Sequence, residues 1–470
     1  MVAAVVVNGL ACYHPQTLDP RAVLEDLRRS DGSPPPAELA SPPSSRAPGP
    51  GLDRAEGGSS SQRGGPVLGP SLSEERSVAL ALLWNRDLRT FRLTRGIAAG
   101  QVITAGALAN PEIRAELTHI QELDSSKLGW DIRLTWEPPR PGVRAGRRAA
   151  ANAHLDEVEQ QVSEREWMLA CDVRLAYATL QAHDEEIRVA QDTVANRRRL
   201  ADAVGRRVAQ GGTTRFDLDL VRLSLASAEH ADSERRLGRT LAAHSLLRLL
   251  GVGAPGGDIT VTGSLNEPPE HPQPSQQELE DRALANRPAL AATRARHRAS
   301  EETLRAETAA RWPWIRFSAA PRIRRNEFFG ATTDLVLGLD LILPILDTNR
   351  GHVESATSAR DVARADITAT IEGLRVDIGR SLATITAEAA MLRQLQAEIA
   401  PLLAEHDRVL EAALRAMELD LPSLIASENL VLASRIELVN ARLELRKAWL
   451  ALERTVGTRL LPPAQKSQQP

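Results

Sequence analysis

The sequence predicts a mainly α-helical protein with a small β contribution, in which two long coiled-coil rods and two strand pairs come from two tandem copies of one unit. Three observations carry that expectation. Landmarks recur at a near-constant spacing: Asn85-Arg86 with Asn286-Arg287 and Pro111 with Pro313 at offsets of 201 and 202, then Pro138 with Pro344, Arg144 with Arg350 and Leu250-Gly251 with Val456-Gly457, all at 206. Spacing held over that length marks a duplication. Each copy carries an apolar heptad pattern long enough for a rod of about 100 Å, at a rise of 1.5 Å per residue. Ahead of each rod lies a pair of segments that alternate with period two, as strands with one apolar face do.

Composition limits the function classes. The 470 residues carry 58 Lys+Arg against 61 Asp+Glu, a net charge of -3. That balance supplies no field for nucleic acid, which is not an expected partner. No run of about 18 apolar residues occurs, so no membrane-spanning helix is expected, and insertion by strands stays open. The two cysteines, Cys12 and Cys171, are too few for a disulfide framework or a metal cluster, and Cys171 reads as a small core residue within the first rod.

Residues 1–12 form a short apolar stretch, VAAVVVNGLA, ending in small residues before Cys12. This resembles a lipoprotein export signal with Cys12 as the lipidated residue; a frayed terminus with a chance cysteine is the other reading. Residues 13–71 include SPPPAELASPPSSRAPGPG and GGSSSQRGGP. Such composition buries too little apolar surface to offset chain entropy and reads as a tether.

The first copy spans 72–251. Its opening helix starts after Ser73 and runs to about Ala107, with Val78, Leu82 and Leu83 at helical spacing. The segment from PEIRAELTH to Glu137 is a strand pair. Trp130, Ile132, Leu134 and Trp136 fall on one face, and Asp131, Arg133, Thr135 and Glu137 on the other. The rod then runs from about Val143 to Ala209, with Leu169, Val173, Ala176, Leu180, Ile187, Ala190, Val194, Ala201, Val204 and Val208 at spacings of three and four, interrupted at His183 and Arg197. QGGTTRFD turns the chain at the tip, and a return helix of about half the rod's length closes the copy at Leu250-Gly251. End to end with the opening helix, it covers the rod.

A linker, 252–274, leads to the second copy, 275–458, and a tail, 459–470. Here the strand pair is PWIRFSA and a run in which Leu335, Leu337, Leu339, Leu341 and Leu343 share a face opposite Val336, Gly338, Asp340 and Ile342. Pro401 falls inside the second rod and is expected to kink it. MELDLPS makes the second tip.

Aromatic residues sharpen the reading of the strands. Only 14 of 470 residues are Phe, Trp or Tyr, and half of them, Trp130, Trp136, Trp312, Trp314, Phe317, Phe328 and Phe329, lie in the two strand regions. A lipid-facing barrel with aromatic girdles calls for that concentration; a soluble hairpin with one buried face calls for it less. On the barrel reading Ile132, Leu134, Leu335, Leu337, Leu339 and Leu341 face lipid with Trp130 and Trp136, while Asp131, Arg133, Glu137 and Asp340 face the lumen.

No constellation for catalysis is present. The ten histidines are scattered without metal or triad spacing. GVGAPGG after Leu250 follows a helix and reads as a helix stop, and QGGTT lacks the Lys of a phosphate loop and reads as a turn with a cap. No enzyme activity, metal or cofactor is expected. Acidic residues gather at the tips, Asp217 and Asp219 in one copy and Glu418 and Asp420 in the other. Repeated around an axis they form a carboxylate ring that favours cations; as first-turn acids they complement helix dipoles, the more ordinary role.

Taken together, ALALLWNRDLRTFRLTRGIAAGQVITAGALANPEIR, RRVAQGGTTRFDLDLVRLSLASAEH, LLRLLGV, FSAAP and LDLILPILDTNRGHVESA resemble, in order and spacing, the TolC-like outer-membrane efflux family over residues 72 to 458. The resemblance implies a homotrimer, each protomer giving four strands to a shared outer-membrane barrel and its helices to a periplasmic tunnel. It implies a periplasmic adaptor and an inner-membrane pump as partners, with Gly211, Gly212 and Thr213 at the adaptor-facing tip, and drugs or metal cations as cargo. Four strands alone cannot close a pore, which agrees with an assembly. Two departures stand out: Met417 replaces the Gly of the second tip, and the tether is long. A structural or adhesive coiled-coil protein of the envelope is the competing function, and it needs no lipid-facing strands.

Overall fold

Both copies follow the same order of opening helices, strand pair, rod and return helix. In the computed structural model, which describes residues 71–122, 125–252, 259–263, 265, 274–326, 330–416 and 420–460, the first copy comprises β1 (Ser71–Leu72), α1 (Glu74–Trp84), α2 (Arg86–Arg92), α3 (Thr94–Gly106), β2 (Glu112–Glu122), β3 (Ser125–Trp136), the rod α4 (Val143–Ala209) and the return helix α5 (Arg215–Leu250). After β4 (Thr260–Val261), the second has α6 (Gln276–Asn286), α7 (Pro288–Ala309), β5 (Trp314–Asn326), β6 (Gly330–Ile342), the rod α8 (Arg350–Ala416) and the return helix α9 (Leu421–Val456). Each rod has 67 residues and each return helix 36. No helix among the described residues is long and apolar enough to cross a membrane.

Ser73 caps α1 as expected, its hydroxyl accepting from Arg76 N at 3.3 Å. The opening helix is not continuous to Ala107; it breaks at Asn85 and again at Leu93. The first break has a steric cause. Gly251, with φ 71, ends α5 so close to it that a Cβ there would meet Trp84 O at 2.5 Å. Asn85 leaves the helix and re-caps it, Oδ1 accepting from Leu88 N at 2.8 Å and Nδ2 donating to Leu249 O at 2.9 Å. In the second copy Arg287 makes the break, Pro288 starts the next helix, and Gly457 (φ 81) packs with its missing Cβ 3.0 Å from Arg287 Cα. Pro401 lies within α8, which continues from Arg350 to Ala416.

Each copy has an apolar core where its opening helices and return helix meet its rod. Leu88, Val173, Tyr177, Leu180, Leu246 and Leu250 form the first; Leu279, Leu374, Ile378, Ile385, Trp449 and Leu452 form the second. The heptad positions thus supply each rod's buried stripe. The predicted linker contributes β4, which pairs in parallel with β1, and the Tyr177 hydroxyl bonds Leu72 O and Thr262 O at 2.9 and 2.7 Å beside it.

The four long strands form one antiparallel sheet in the order β2-β3-β5-β6. Their 11 to 13 residues are enough for the roughly 9–11 that a tilted strand needs to cross a bilayer.

Candidate functional site

Helices follow the strand order. Directly below the sheet the helices pack side by side as α3-α4-α7-α8, and these are the helices joined to β2, β3, β5 and β6 in turn. Towards the tips the order is α5-α4-α9-α8. The chain is therefore a strip of wall whose open edges are β2, α3 and α5 on one side and β6 and α8 on the other.

Those helical edges carry the unburied apolar side chains. Leu93 at the break before α3 and Ile97 and Ile103 along it are exposed; so are Phe216, Leu223, Leu237 and Leu241 along α5, and Val362, Val376, Leu402 and Val409 along α8. Among the described residues, no large exposed apolar side chain lies on α4 or α7, and α9 has Leu430 alone. Exposed apolar side chains gathered along the two edges of the strip mark an interface.

Register aligns the apolar positions of all four strands on one face. Ile113, Leu134, Ala319 and Leu337 are successive cross-strand neighbours, as are Trp136, Phe317 and Leu339. Ile132, Leu134 and Trp136 are exposed, and Leu335, Leu337, Leu339 and Leu341 more so, with Leu337 at 75%. Trp136 stacks on Phe317 with centroids 6.5 Å apart. Trp130 lies on this face by register, opposite Leu117; its side chain, like Phe328 and Phe329, is outside what the structure describes. The opposite face carries Arg133 paired with Asp131 at 3.4 Å and Arg316 paired with Glu137 at 3.2 Å, together with Asp340 opposite Arg316.

On that polar side, where strands pass into helices, lies a cavity of about 1450 Å³. Glu112, Glu137 and Arg316 reach it from the strand ends, Arg140 from the loop before α4, Arg144 and Arg147 from its first turns, and Glu307 and His352 from α7 and α8. Arg140 sits 3.8 Å above the Trp314 ring and donates to Ala310 O. Arg144 Nε donates to Gly106 O at 2.8 Å.

The first tip is a capped turn. Gly211 adopts φ 71, and Gly212 N returns to Arg207 O at 2.8 Å, which closes the rod. Thr214 and Asp217 form a reciprocal capping box, and Thr213 Oγ1 also donates to the Asp217 carboxylate at 2.7 Å. Those hydrogen bonds from Thr214 and Thr213 hold the Asp217 carboxyl below its ordinary value. Asp219 and Asp420 are exposed. Asp420 precedes α9 without capping its backbone and accepts from Ser423 Oγ. The tips meet through Leu200, Val204, Val221 and Leu421. Glu418, Met417 and Cys12 lie outside the described residues.

Two buried charge clusters bind the copies together, and sequence patterning does not pick out their pairings. Arg174 of α4, 5% exposed, pairs with Glu74 at 2.7 Å and with the fully buried Glu453 of α9; Arg446 pairs with Glu74 at 3.1 Å. Burial pulls the Arg446 guanidinium below its ordinary value despite Glu74. The adjacent Cys171 thiol is pushed up to about 12 by burial, which keeps it unreactive. Nearer the tips, Arg197 of α4 donates to Ser224 O at 2.7 Å and to Asn429 Oδ1, and lies 3.5 Å from Glu428 of α9. A signal for Arg197 exists in the sequence, since it interrupts the apolar heptad.

A strip of strands continued by helical rods, apolar on one sheet face and open at both edges, defines a protomer of an outer-membrane channel. The chain belongs to the outer membrane efflux protein family, whose model matches residues 78–252 and 279–458, one match to each copy. It is 25% identical over 317 residues to the cobalt-zinc-cadmium resistance protein CzcC of Cupriavidus metallidurans, covering 67% of this chain and 72% of that one. Its fold is similar to that of a membrane protein from Pseudomonas aeruginosa (20% identity, 82% and 92% of the two chains, TM-score 0.67). The open-state MtrE outer membrane channel of Neisseria gonorrhoeae is alike to the same degree (17% identity, 84% and 91%, TM-score 0.67). The protein is thus an outer-membrane efflux channel with its helical tunnel in the periplasm, a conduit and not an enzyme.

Proposed function

We propose that three copies of this chain close edge to edge into one passive duct, β6 and α8 of each protomer against β2, α3 and α5 of the next. The observation that carries this is the coincidence of edges: the same two sides of the strip are open in the sheet, below it and near the tips, and the helical edges there carry exposed apolar side chains. Three copies bring about twelve strands, between the roughly eight that side chains fill and the 16 or more that leave a wide channel. In this assembly Ile132, Leu134, Trp136, Leu335, Leu337, Leu339 and Leu341, with Trp130, face lipid. Gly211, Gly212 and Thr213 meet a periplasmic adaptor that couples the duct to an inner-membrane pump. Cys12 carries the lipid anchor. Any carboxylate ring at the tips draws on Asp219, Glu418 and Asp420, with Asp217 held ionised in its cap.

Leu223 on α5 and Val409 on α8 lie at similar distances from the tips. Cysteines placed at both, in a Cys12→Ser background, should cross-link with a short bis-maleimide into a ladder ending at the trimer. A product confined to internal loops or dimers would sink the edge-to-edge arrangement. CzcC's name speaks of cobalt, zinc and cadmium; small molecules or metal cations are the cargo classes proposed for this chain.

A further inference from the structure

Among the described residues, the cavity below the sheet has a charge pattern unlike the rest of the polar face. Two of its three carboxylates are paired with arginines, Glu137 with Arg316 at 3.2 Å and Glu112 with Arg114 at 3.4 Å; Glu307 accepts from the neutral Asn349 amide at 3.0 Å and keeps its charge, one acid against three further arginines. Arg140, Arg144 and Arg147 have no carboxylate partner among the described residues. Arg144 and Arg147, three residues apart on α4, reach the cavity from one side of that helix, and Arg140 reaches it from the loop just before. Arg140 and Arg144 are also held in place, the first by the Trp314 ring and Ala310 O, the second by Gly106 O. Held guanidiniums need no reordering to meet an anion. The second copy has no such group: the positions at an offset of 206 are Leu346, Arg350 and Val353.

We infer that this cavity is an anion-attracting vestibule of the duct, favouring solutes that carry carboxylate, phosphate or other oxyanion groups. The inference rests on the duct reading above, which places the polar face of the sheet towards the lumen. Repeated in every protomer, the unneutralised arginines form a ring just below the barrel, and rings of Arg or Lys are how pores favour anions. The cavity walls concentrate their field, while the acids at the tips lie most of a rod's length, about 100 Å, away and far beyond the roughly 8 Å over which charges act in physiological salt. A divalent metal would then pass this level most readily as a complex with anionic ligands.

The test is the reversal potential of the assembled full-length protein in a planar bilayer under a KCl gradient. The natural sequence should prefer chloride. Arg144→Gln with Arg147→Gln should lower the chloride-to-potassium permeability ratio several-fold while the particle stays assembled and conducting. Arg147→Glu alone, at an exposed position, should shift the ratio the same way. Potassium preference in the natural protein, or a ratio that neither variant moves, overturns the vestibule and leaves the duct standing. An assembled particle that passes no ions overturns the duct, and the vestibule with it.

Discussion

Leu247 and Glu453 occupy the same place in the two copies, four residues before the glycine that ends each return helix. Leu247 is packed in the first copy's apolar core. Glu453 is fully buried, paired with Arg174 of the other copy, and accepts from Leu460 N at 2.8 Å. The same contrast recurs nearer the tip, where exposed Arg222 of the first copy corresponds to buried Glu428 of the second. Rod length, return-helix length and the left-handed glycine are shared, while the chemistry at matched positions is not. Each copy needs the shared geometry to line one wall. The divergent side chains join the copies to each other, and one copy must supply the acid where the other supplies the arginine.

The sharpest way to break that comparison is to remove a charge without removing volume. Glu453→Gln keeps the side chain's shape and leaves Arg174 with Glu74 as its remaining partner. Breaking one half of a buried pair costs about 3–5 kcal/mol, and the lower end is expected because Glu74 stays. The measurement is the denaturant midpoint of the solubilised protein. An unchanged midpoint would mean that the copies differ here only in packing.

A smaller effect compares the shared feature. Gly251→Ala and Gly457→Ala both force a side chain into left-handed backbone, at roughly 1–2 kcal/mol each. Gly251→Ala should lower the melting temperature further, since its methyl would lie 2.5 Å from a carbonyl oxygen where that of Gly457→Ala meets Arg287 Cα at 3.0 Å. Equal shifts would show that the first copy's opening helix can yield at Asn85.

What could be read in the sequence follows from this same division. Periodic features were legible: the duplication, both rods, the alternation of the strands, the glycine stops and the turn at Gln210. Each is local or repeats, so a single chain displays it. The break at Asn85 was not, because its cause is a close approach by Gly251, far along the chain. Nor were the Arg174, Glu74 and Glu453 contacts, since Arg174 is 100 residues from one partner and 279 from the other and no spacing rule links them. Arg197 stands between these cases: the heptad betrayed its unusual position, but its partner Glu428 could be found only once α9 was seen to lie against α4.

The smallest effect belongs to that pair and has a definite sign. Glu428 faces Arg197 from α4 and His406 from α8, and burial raises its carboxyl above the ordinary value of 4.5 against the pull of both. The folded protein therefore keeps this proton to a higher pH than the unfolded chain does. Its contribution to stability is fully present below about pH 4.5 and is lost as pH rises through the raised folded value. Glu428→Gln holds the neutral form at every pH and keeps a polar side chain beside Arg197. Melting curves of the two proteins should coincide in acid and separate as the pH rises towards neutrality, with the glutamine variant the more stable. The exposed first-copy counterpart, Arg222→Gln, should give no pH-dependent separation. Parallel curves for Glu428→Gln and the natural protein would show that Arg197 compensates the buried charge in full, and that this contact between the copies is already at its electrostatic optimum near pH 7.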